Sequence, residues 1–305
     1  MNKPSSIRVR VPASSANLGP GFDTLGLALS LYLRCTLRKS NQGLQIVVSG
    51  SDSSEIPCNQ SNLIFRAFSR LASKETQEAV KLEIVNAVPL GKGLGSSAAA
   101  ILAGLALANE WEGLNRSKEQ LIQMATEMEG HPDNVAAAAR GGLVVSCQAE
   151  DGAVISVNSP IIQKLEVVLV VPQCRLSTEA ARAALPESYS RPHAIFNVQR
   201  VALLLAALRE GRADLFAEAM QDRLHQPYRA SLIPGFADIL KLRNIPGLLG
   251  LALSGAGPSV VAFCDGRAAA EAGEAIAACF REHQVAAEVH RLQVDPQGLV
   301  VEKAS

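Results

Sequence analysis

The sequence predicts an α+β protein of two domains, the second of them an α/β sandwich. Three observations carry this. At 305 residues the chain exceeds one ordinary hydrophobic core, so two units of roughly 150 residues are the starting expectation. In the first half, runs with the two-residue period of strands alternate with Ala/Leu-rich runs that read as helices. In the second half a β-branched strand at 165–171 is followed, after several helices, by a strand-strand-helix-strand ending.

Ile7, Val9 and Val11 alternate with Arg8 and Arg10, so the chain begins on a half-buried strand. That strand runs into Pro12-Ala13-Ser14-Ser15-Ala16-Asn17-Leu18-Gly19-Pro20-Gly21-Phe22-Asp23, whose turn-forming residues demand a long ordered loop. Asn17 and Asp23 sit in it, a setting where Asn and Asp commonly satisfy nearby backbone amides. Residues 25–37 and 44–49 read as strands around a turn at 41–43, and 62–73 as a helix. Val80, Leu82 and Ile84 then alternate with Lys81 and Glu83 as a further strand, and 98–109 reads as a buried Ala/Leu helix.

Between these two lies Pro89-Leu90-Gly91-Lys92-Gly93-Leu94-Gly95-Ser96-Ser97. Three glycines in five residues let the backbone turn tightly and aim several N–H groups at one point, where the new helix adds its partial positive charge. This is the pattern of a phosphate site, although it matches neither the Walker loop nor the dinucleotide fingerprint. A turn that merely lets helix and strand pack closely has the same glycines. Ser96 and Ser97 favour the site, because hydroxyls at a helix start can reach a phosphate or its magnesium.

Ser117 with Gln120 forms a capping box for a helix running to Glu129. At its end, Glu129-Gly130-His131-Pro132-Asp133-Asn134 gathers two carboxylates, an imidazole and an amide in otherwise Ala-rich sequence, which marks a second candidate site segment. Glu127 and Glu129 cannot share a helical face, so one of them points to solvent. A strand follows at 143–147, and the polar stretch 151–163, with Pro160, is the expected boundary between domains 1–160 and 161–305. In the second domain helices are expected at 179–185, 195–210 and 214–224, then strands at 248–253 and 260–264, a helix at 267–281 and a strand at 286–292. Thr178 and Arg182 share a helical face, and with Arg229 they stand out in polar-poor surroundings. Gly255 and Gly257 precede a strand, which points to close backbone approach rather than a second phosphate loop.

Composition narrows the partners. Apolar residues make up 48% and aromatic residues 4%, so the core is built from Ala, Leu, Val and Ile. Twenty-nine Lys and Arg balance 29 Asp and Glu without long runs of either sign, which offers nothing to nucleic acid or an anionic membrane. Six cysteines without metal-like spacing read as free thiols and small core residues, which with the lack of a targeting or spanning segment suggests the cytoplasm.

Residues 12–23, 89–99 and 254–259, in this order and at these distances, resemble the three motifs of the GHMP kinases, the galactokinase, homoserine, mevalonate and phosphomevalonate kinase superfamily. The first motif and Gly130-His131-Pro132-Asp133-Asn134-Val135-Ala136 are similar to the homoserine kinase versions, and the resemblance covers the whole chain. It implies an N-terminal domain like that of ribosomal protein S5, with a left-handed βαβ unit, and a ferredoxin-like C-terminal domain. It also implies phosphorylation of L-homoserine by ATP, with magnesium, to O-phospho-L-homoserine in threonine biosynthesis. By this resemblance the loop Pro89, Leu90, Gly91, Lys92, Gly93, Leu94, Gly95, Ser96 and Ser97 holds the ATP phosphates, Ser97 and Glu129 the Mg2+, and Asn62 lies near the nucleoside. Arg182 and Arg229 would take the amino-acid carboxylate and Asp23 its ammonium, while Asn17, His131 and Asn134 orient it, Thr178 closes the pocket and Asp133 is the candidate base. Ala137 stands where the family often has proline, implying a small change in turn stiffness. A homodimer is compatible with all of this. The alternatives within the same fold are a kinase for another small alcohol and a ligand sensor without turnover, and the sensor should lack one of Ser96, Ser97, Glu129 or Asp133, all of which are present.

Overall fold

The computed structural model describes residues 4–162, 165–242, 245–266 and 268–304. The outer limits Met1 and Ser305 of the expected domains, Gln163 at the expected boundary and Arg267 at the start of the last expected helix lie outside the described residues.

The first sheet is built on β1 (Ser6–Asn17) and β2 (Gly21–Lys39), which pair antiparallel along most of their length. β3 (Gln45–Gly50) leads through the short helices α1 (Leu63–Phe68) and α2 (Lys74–Glu78) to β4 (Val80–Asn86), and β3 and β4 lie parallel. Next come α3 (Ser96–Glu112), α4 (Lys118–Glu129) and α5 (Asp133–Arg140), then the hairpin of β5 (Leu143–Gln148) and β6 (Val154–Ser159). The second sheet starts with β7 (Glu166–Pro172). After it the chain passes through α6 (Thr178–Ala183), α7 (Arg191–Glu210), α8 (Phe216–Ala219), α9 (Gln226–Arg229) and α10 (Phe236–Ile239) to β8 (Leu248–Leu253) and β9 (Val260–Cys264). α11 (Ala269–Glu282) and β10 (Ala287–Leu292) complete this sheet, whose order β10-β7-β9-β8 is the fourth-first-third-second order of a ferredoxin-like unit. The last strand, β11 (Val300–Ala304), returns to pair with β1, so both ends of the chain share the first sheet. The architecture is the expected two-part mixture of helices and sheets.

Burial explains these elements. On β1, Ile7, Val9 and Val11 are buried while Arg8 is exposed, as the alternation demands. α3 is apolar almost all round and is correspondingly enclosed, touching α1, β1, α4 and α5. Its approach to α1 depends on Gly104, where an added Cβ would lie 2.1 Å from the Ile64 carbonyl oxygen. Gly26 does the same for α5, because a Cβ there would lie 2.2 Å from the Asp133 carbonyl oxygen.

The differences from expectation have local causes. The helix expected at 62–73 ends at Phe68, and Ser73 caps a separate helix by accepting the Thr76 N–H. The helix expected at 214–224 is a turn followed by α8, and the Asp222 carboxylate interrupts it by accepting the N–H groups of Leu224, His225 and Gln226. β6 lies where a linker was expected. Ile155 and Val157 are exposed, while Ser156 accepts from Arg140 and the Asn158 amide donates to the Gly141 carbonyl. Ala137 is fully buried inside α5 rather than in a turn. Only Cys35 and Cys264 are buried in the core, while Cys58 and Cys147 are exposed, and all six thiols are free. No helix among the described residues is long and apolar enough to cross a membrane.

Gly104→Ala tests the α1–α3 contact. Alanine usually stabilises a helix interior by up to about 1 kcal/mol over glycine, but here overpacking should outweigh this and cost about 1–3 kcal/mol. The expected result is a lower urea midpoint at unchanged slope; an unchanged or higher midpoint would show that the helices are not pressed together at Gly104.

Candidate active site

A cleft of about 820 Å³ opens where the three motifs converge. All the candidate residues line it except Asn62, Pro89, Leu90 and Lys92. Asn62 and Leu90 instead line an adjoining, largely apolar pocket of about 640 Å³ that shares Ser96 and Ser97 with the cleft.

The glycine loop explains the junction. Gly91, Gly93 and Gly95 have φ of +64°, +73° and +64°, a region that side chains rarely occupy. Gly93 also lies against the turn after β8, where a Cβ would be 2.1 Å from the Ser254 carbonyl oxygen. Gly95 lies against the Ser14 and Asn134 side chains and is the residue before α3. No side chain caps α3, so the amides of its first turn face the cleft with the positive end of a 17-residue helix behind them. The Ser97 hydroxyl donates to a carboxylate oxygen of Glu129. Glu129 is the last residue of α4 and turns inward, whereas Glu127 faces solvent.

Two of the candidate residues, Lys92 of the loop and Asn62, bond to the protein itself. The Lys92 ammonium donates to the carbonyls of Pro172 and Cys174, at 2.7 and 2.6 Å, and so ties the glycine loop to the end of β7. The Asn62 amide is fully buried and caps α1, accepting from the Ile64 and Phe65 amides and donating to the Pro57 carbonyl. It shapes the wall of the apolar pocket.

The second group of residues surrounds the first turn of α5. The Asp133 carboxylate, 2% exposed, accepts the Asn134 N–H and lies 2.7 Å from His131 Nδ1. Burial works against a charged His131, but the hydrogen bond and charge of Asp133, with Glu129 beyond it, outweigh burial and raise its pKa above the ordinary value. The Asn134 amide oxygen accepts the Ser14 hydroxyl at 2.9 Å. Ser14 therefore orients Asn134, a role for which the Ser14-Ser15 doublet was the only trace in the sequence.

Opposite stand the charges from the two domains. Arg182 and Asp23 form a two-pronged pair at 3.0 and 2.7 Å across a sequence separation of 159 residues. Asp23 is held in the left-handed region, φ +52°, by the Asn17 side chain, whose oxygen accepts the Asp23 N–H while its nitrogen donates to the Gly255 carbonyl. Arg229 is 1% exposed, donating to the Ala181 and Gly255 carbonyls and to His225 Nδ1, and burial pulls its pKa down to about 10. The two arginines thus do not form an open fork: one is paired and the other sunk in the wall. Both guanidiniums lie over the Phe22 ring, at 5.6 and 5.4 Å. Thr178, at the start of α6, is exposed at the mouth. Phe22 and His225 went unmarked at the sequence level, although the spacing of four between His225 and Arg229 was a usable signal.

This arrangement can hold a phosphate chain at α3 and a small molecule carrying both charges beside it. Comparisons with known proteins identify the family. The model of the GHMP kinases N terminal domain matches residues 62–142, and that of the GHMP kinases C terminal matches residues 204–282. A homoserine kinase of Solibacter usitatus is 44% identical over 302 residues, covering 98% of each chain. Another, of Desulfitobacterium hafniense, is 41% identical over 97% of this chain and 99% of its own. The crystal structure of homoserine kinase from Cytophaga hutchinsonii superposes with a TM-score of 0.86 at 31% identity, covering 99% of both chains. Mevalonate kinase of L. major shares the fold alone, with a TM-score of 0.67 at 19% identity. With both family domains matched and relatives of this similarity over nearly its full length, the chain belongs to the GHMP kinases, enzymes that use ATP to phosphorylate a hydroxyl group.

Proposed function

We propose that this chain phosphorylates the side-chain hydroxyl of L-homoserine, giving O-phospho-L-homoserine and ADP, a step toward threonine. The observation that carries the substrate is the Asp23–Arg182 pair beside the open end of α3. A free amino acid brings one ammonium and one carboxylate, and so can replace each member of that pair with an opposite charge of its own. The exchange is easy, because an ion pair more than a third exposed, as this one is, is worth about 1 kcal/mol or less. Arg229 and the Asn17 and Asn134 amides complete the pocket, and Thr178 closes it. Mevalonate and galactose carry no ammonium to satisfy Asp23.

On the nucleotide side, the backbone of Gly91, Gly93 and Gly95 and the first-turn amides of α3 hold the ATP phosphates, while Lys92 keeps the loop in place. The adjoining apolar pocket takes the nucleoside. Ser97 and Glu129 fit Mg2+: two hard oxygens lie in contact at a helix start, and this ion commonly takes one or two carboxylates together with phosphate oxygens. Held there, the ion would neutralise charge building on the transferred group.

Phosphoryl transfer needs little covalent help from the protein, so positioning and charge carry most of the rate. Asp133 stays the candidate base: its contacts with the Asn134 amide and with His131 both fall on Oδ1 and leave Oδ2 outside them. The Asp133 carboxylate also raises the pKa of His131, whose ring faces the cleft where the phosphoryl oxygens would lie.

Magnesium-dependent ADP release from a panel of L-homoserine, L-threonine, mevalonate and galactose tests the assignment. Selective turnover of homoserine is expected, and preference for another alcohol overturns it. Arg182→Ala should raise the KM for homoserine by about 10-fold or more, equivalent to roughly 1.4 kcal/mol, with the KM for ATP nearly unchanged. Equal effects on both would remove Arg182 from the amino-acid site. For His131, an NMR titration should find a pKa above about 6.5 in the wild type and a lower one in Asp133→Asn, where burial remains but the counter-charge is gone. The stabilisation from this pair is full below the unfolded-state value and is lost as pH rises through the raised folded one. An identical His131 titration in the two proteins would refute the pairing.

A further inference from the structure

His225 is 0% exposed, and every heteroatom of its ring is accounted for. Arg229 Nη1 lies 3.1 Å from His225 Nδ1. A guanidinium can only donate, so Nδ1 must present its lone pair. The ring proton is then on Nε2, which donates to the Gly19 carbonyl at 2.7 Å. One face of the ring stacks on Phe22, with centroids 5.3 Å apart and planes at 24°. Behind it, Asp222 accepts the His225 N–H and sets its backbone. The ring therefore bridges the turn that leads into Asp23 at the start of β2 and the Arg229 guanidinium.

We propose that His225, as a neutral Nε2–H imidazole, is a positioning residue for the amino-acid site, aligning Arg229 with the substrate carboxylate and anchoring the Gly19–Phe22 turn on which Asp23 depends. The proposal rests on the homoserine reading above. The charged groups around the ring are Arg229, Asp222 and Asp23. Burial and the Arg229 charge hold its pKa below the ordinary value against the opposing Asp222, consistent with the neutral form that the geometry requires. A protonated ring would lose the Arg229 bond and place a second cation against that guanidinium. Arg229 without its acceptor would keep only its two carbonyl partners and could swing within the wall. A side chain that merely fills space would affect both substrates alike, whereas this contact bears on homoserine only.

Two near-isosteres separate the ring's two bonds. In His225→Asn the amide oxygen falls near the Nδ1 position and keeps an acceptor for Arg229. In His225→Gln the amide nitrogen falls near Nε2 and keeps only the donor to Gly19. The expected result is that His225→Gln raises the KM for homoserine about 10-fold with the KM for ATP within about 2-fold of wild type, and that His225→Asn recovers most of the difference. Equal KM values for homoserine in the two variants, or a matched rise for both substrates, would overturn the role. Nitrogen NMR of the unaltered protein needs no variant to fold: an Nε2–H tautomer that does not titrate between about pH 6 and 8 is expected, and an Nδ1–H or titrating ring refutes the proposal. Failure of the unaltered enzyme to phosphorylate homoserine would instead sink the functional reading, and the tautomer would still decide whether His225 accepts from Arg229.

Discussion

The structure depends on one backbone contact. The glycine loop after β4 and the turn after β8 meet so closely that Gly93 has no room for a Cβ against the Ser254 carbonyl, and Gly255 faces Gly93 in return. Around this contact the Ser254 hydroxyl lies within hydrogen-bond distance of the Gly93 carbonyl and of Ser15, and the Gly255 N–H donates to the Ala16 carbonyl. Three segments separated by up to about two hundred and forty residues are thereby locked together. The cleft is what remains between them, so its shape follows from main-chain packing more than from the side chains that line it.

Within that frame, the groups assigned to ligands are internally paired. Asp23 has Arg182, His131 has Asp133, and Ser97 has Glu129. Pairing keeps buried or half-buried charges satisfied before a ligand arrives. Under the proposed function a ligand would bind by exchanging these partners, so the site need not hold bare charges open in its absence. The exception is the start of α3, whose amides have no side-chain cap and where the helix itself supplies the field.

Much of the fold was legible because burial imposes a period. The alternation on β1 and β4, the all-apolar α3 and the Ser117–Gln120 capping box each record a local requirement in consecutive residues. β6 was not legible, since Ile155 and Val157 face outward while Ser156 and Asn158 are taken up by Arg140 and the Gly141 carbonyl. The break at Asp222 was hidden for a different reason: an aspartate can either sit on a helix or end it, and which it does depends on what surrounds its carboxylate.

The candidate site divides along the same line. The sequence by itself determined which chemical groups are present: three glycines and two serines at a helix start, a carboxylate-imidazole-amide cluster, and the Asp23, Arg182 and Arg229 charges. These follow from local rules of backbone freedom and from a motif order that survives in one dimension. Only the tertiary structure decided how they are spent. It turned Lys92 toward the carbonyls of Pro172 and Cys174, used up Asn62 as a helix cap, buried Arg229 in the wall against His225, and paired Arg182 with Asp23 across the two halves of the chain. The physical reason is that a side chain's partner is set by proximity in space, and residues hundreds of positions apart carry no local signal of whom they will meet.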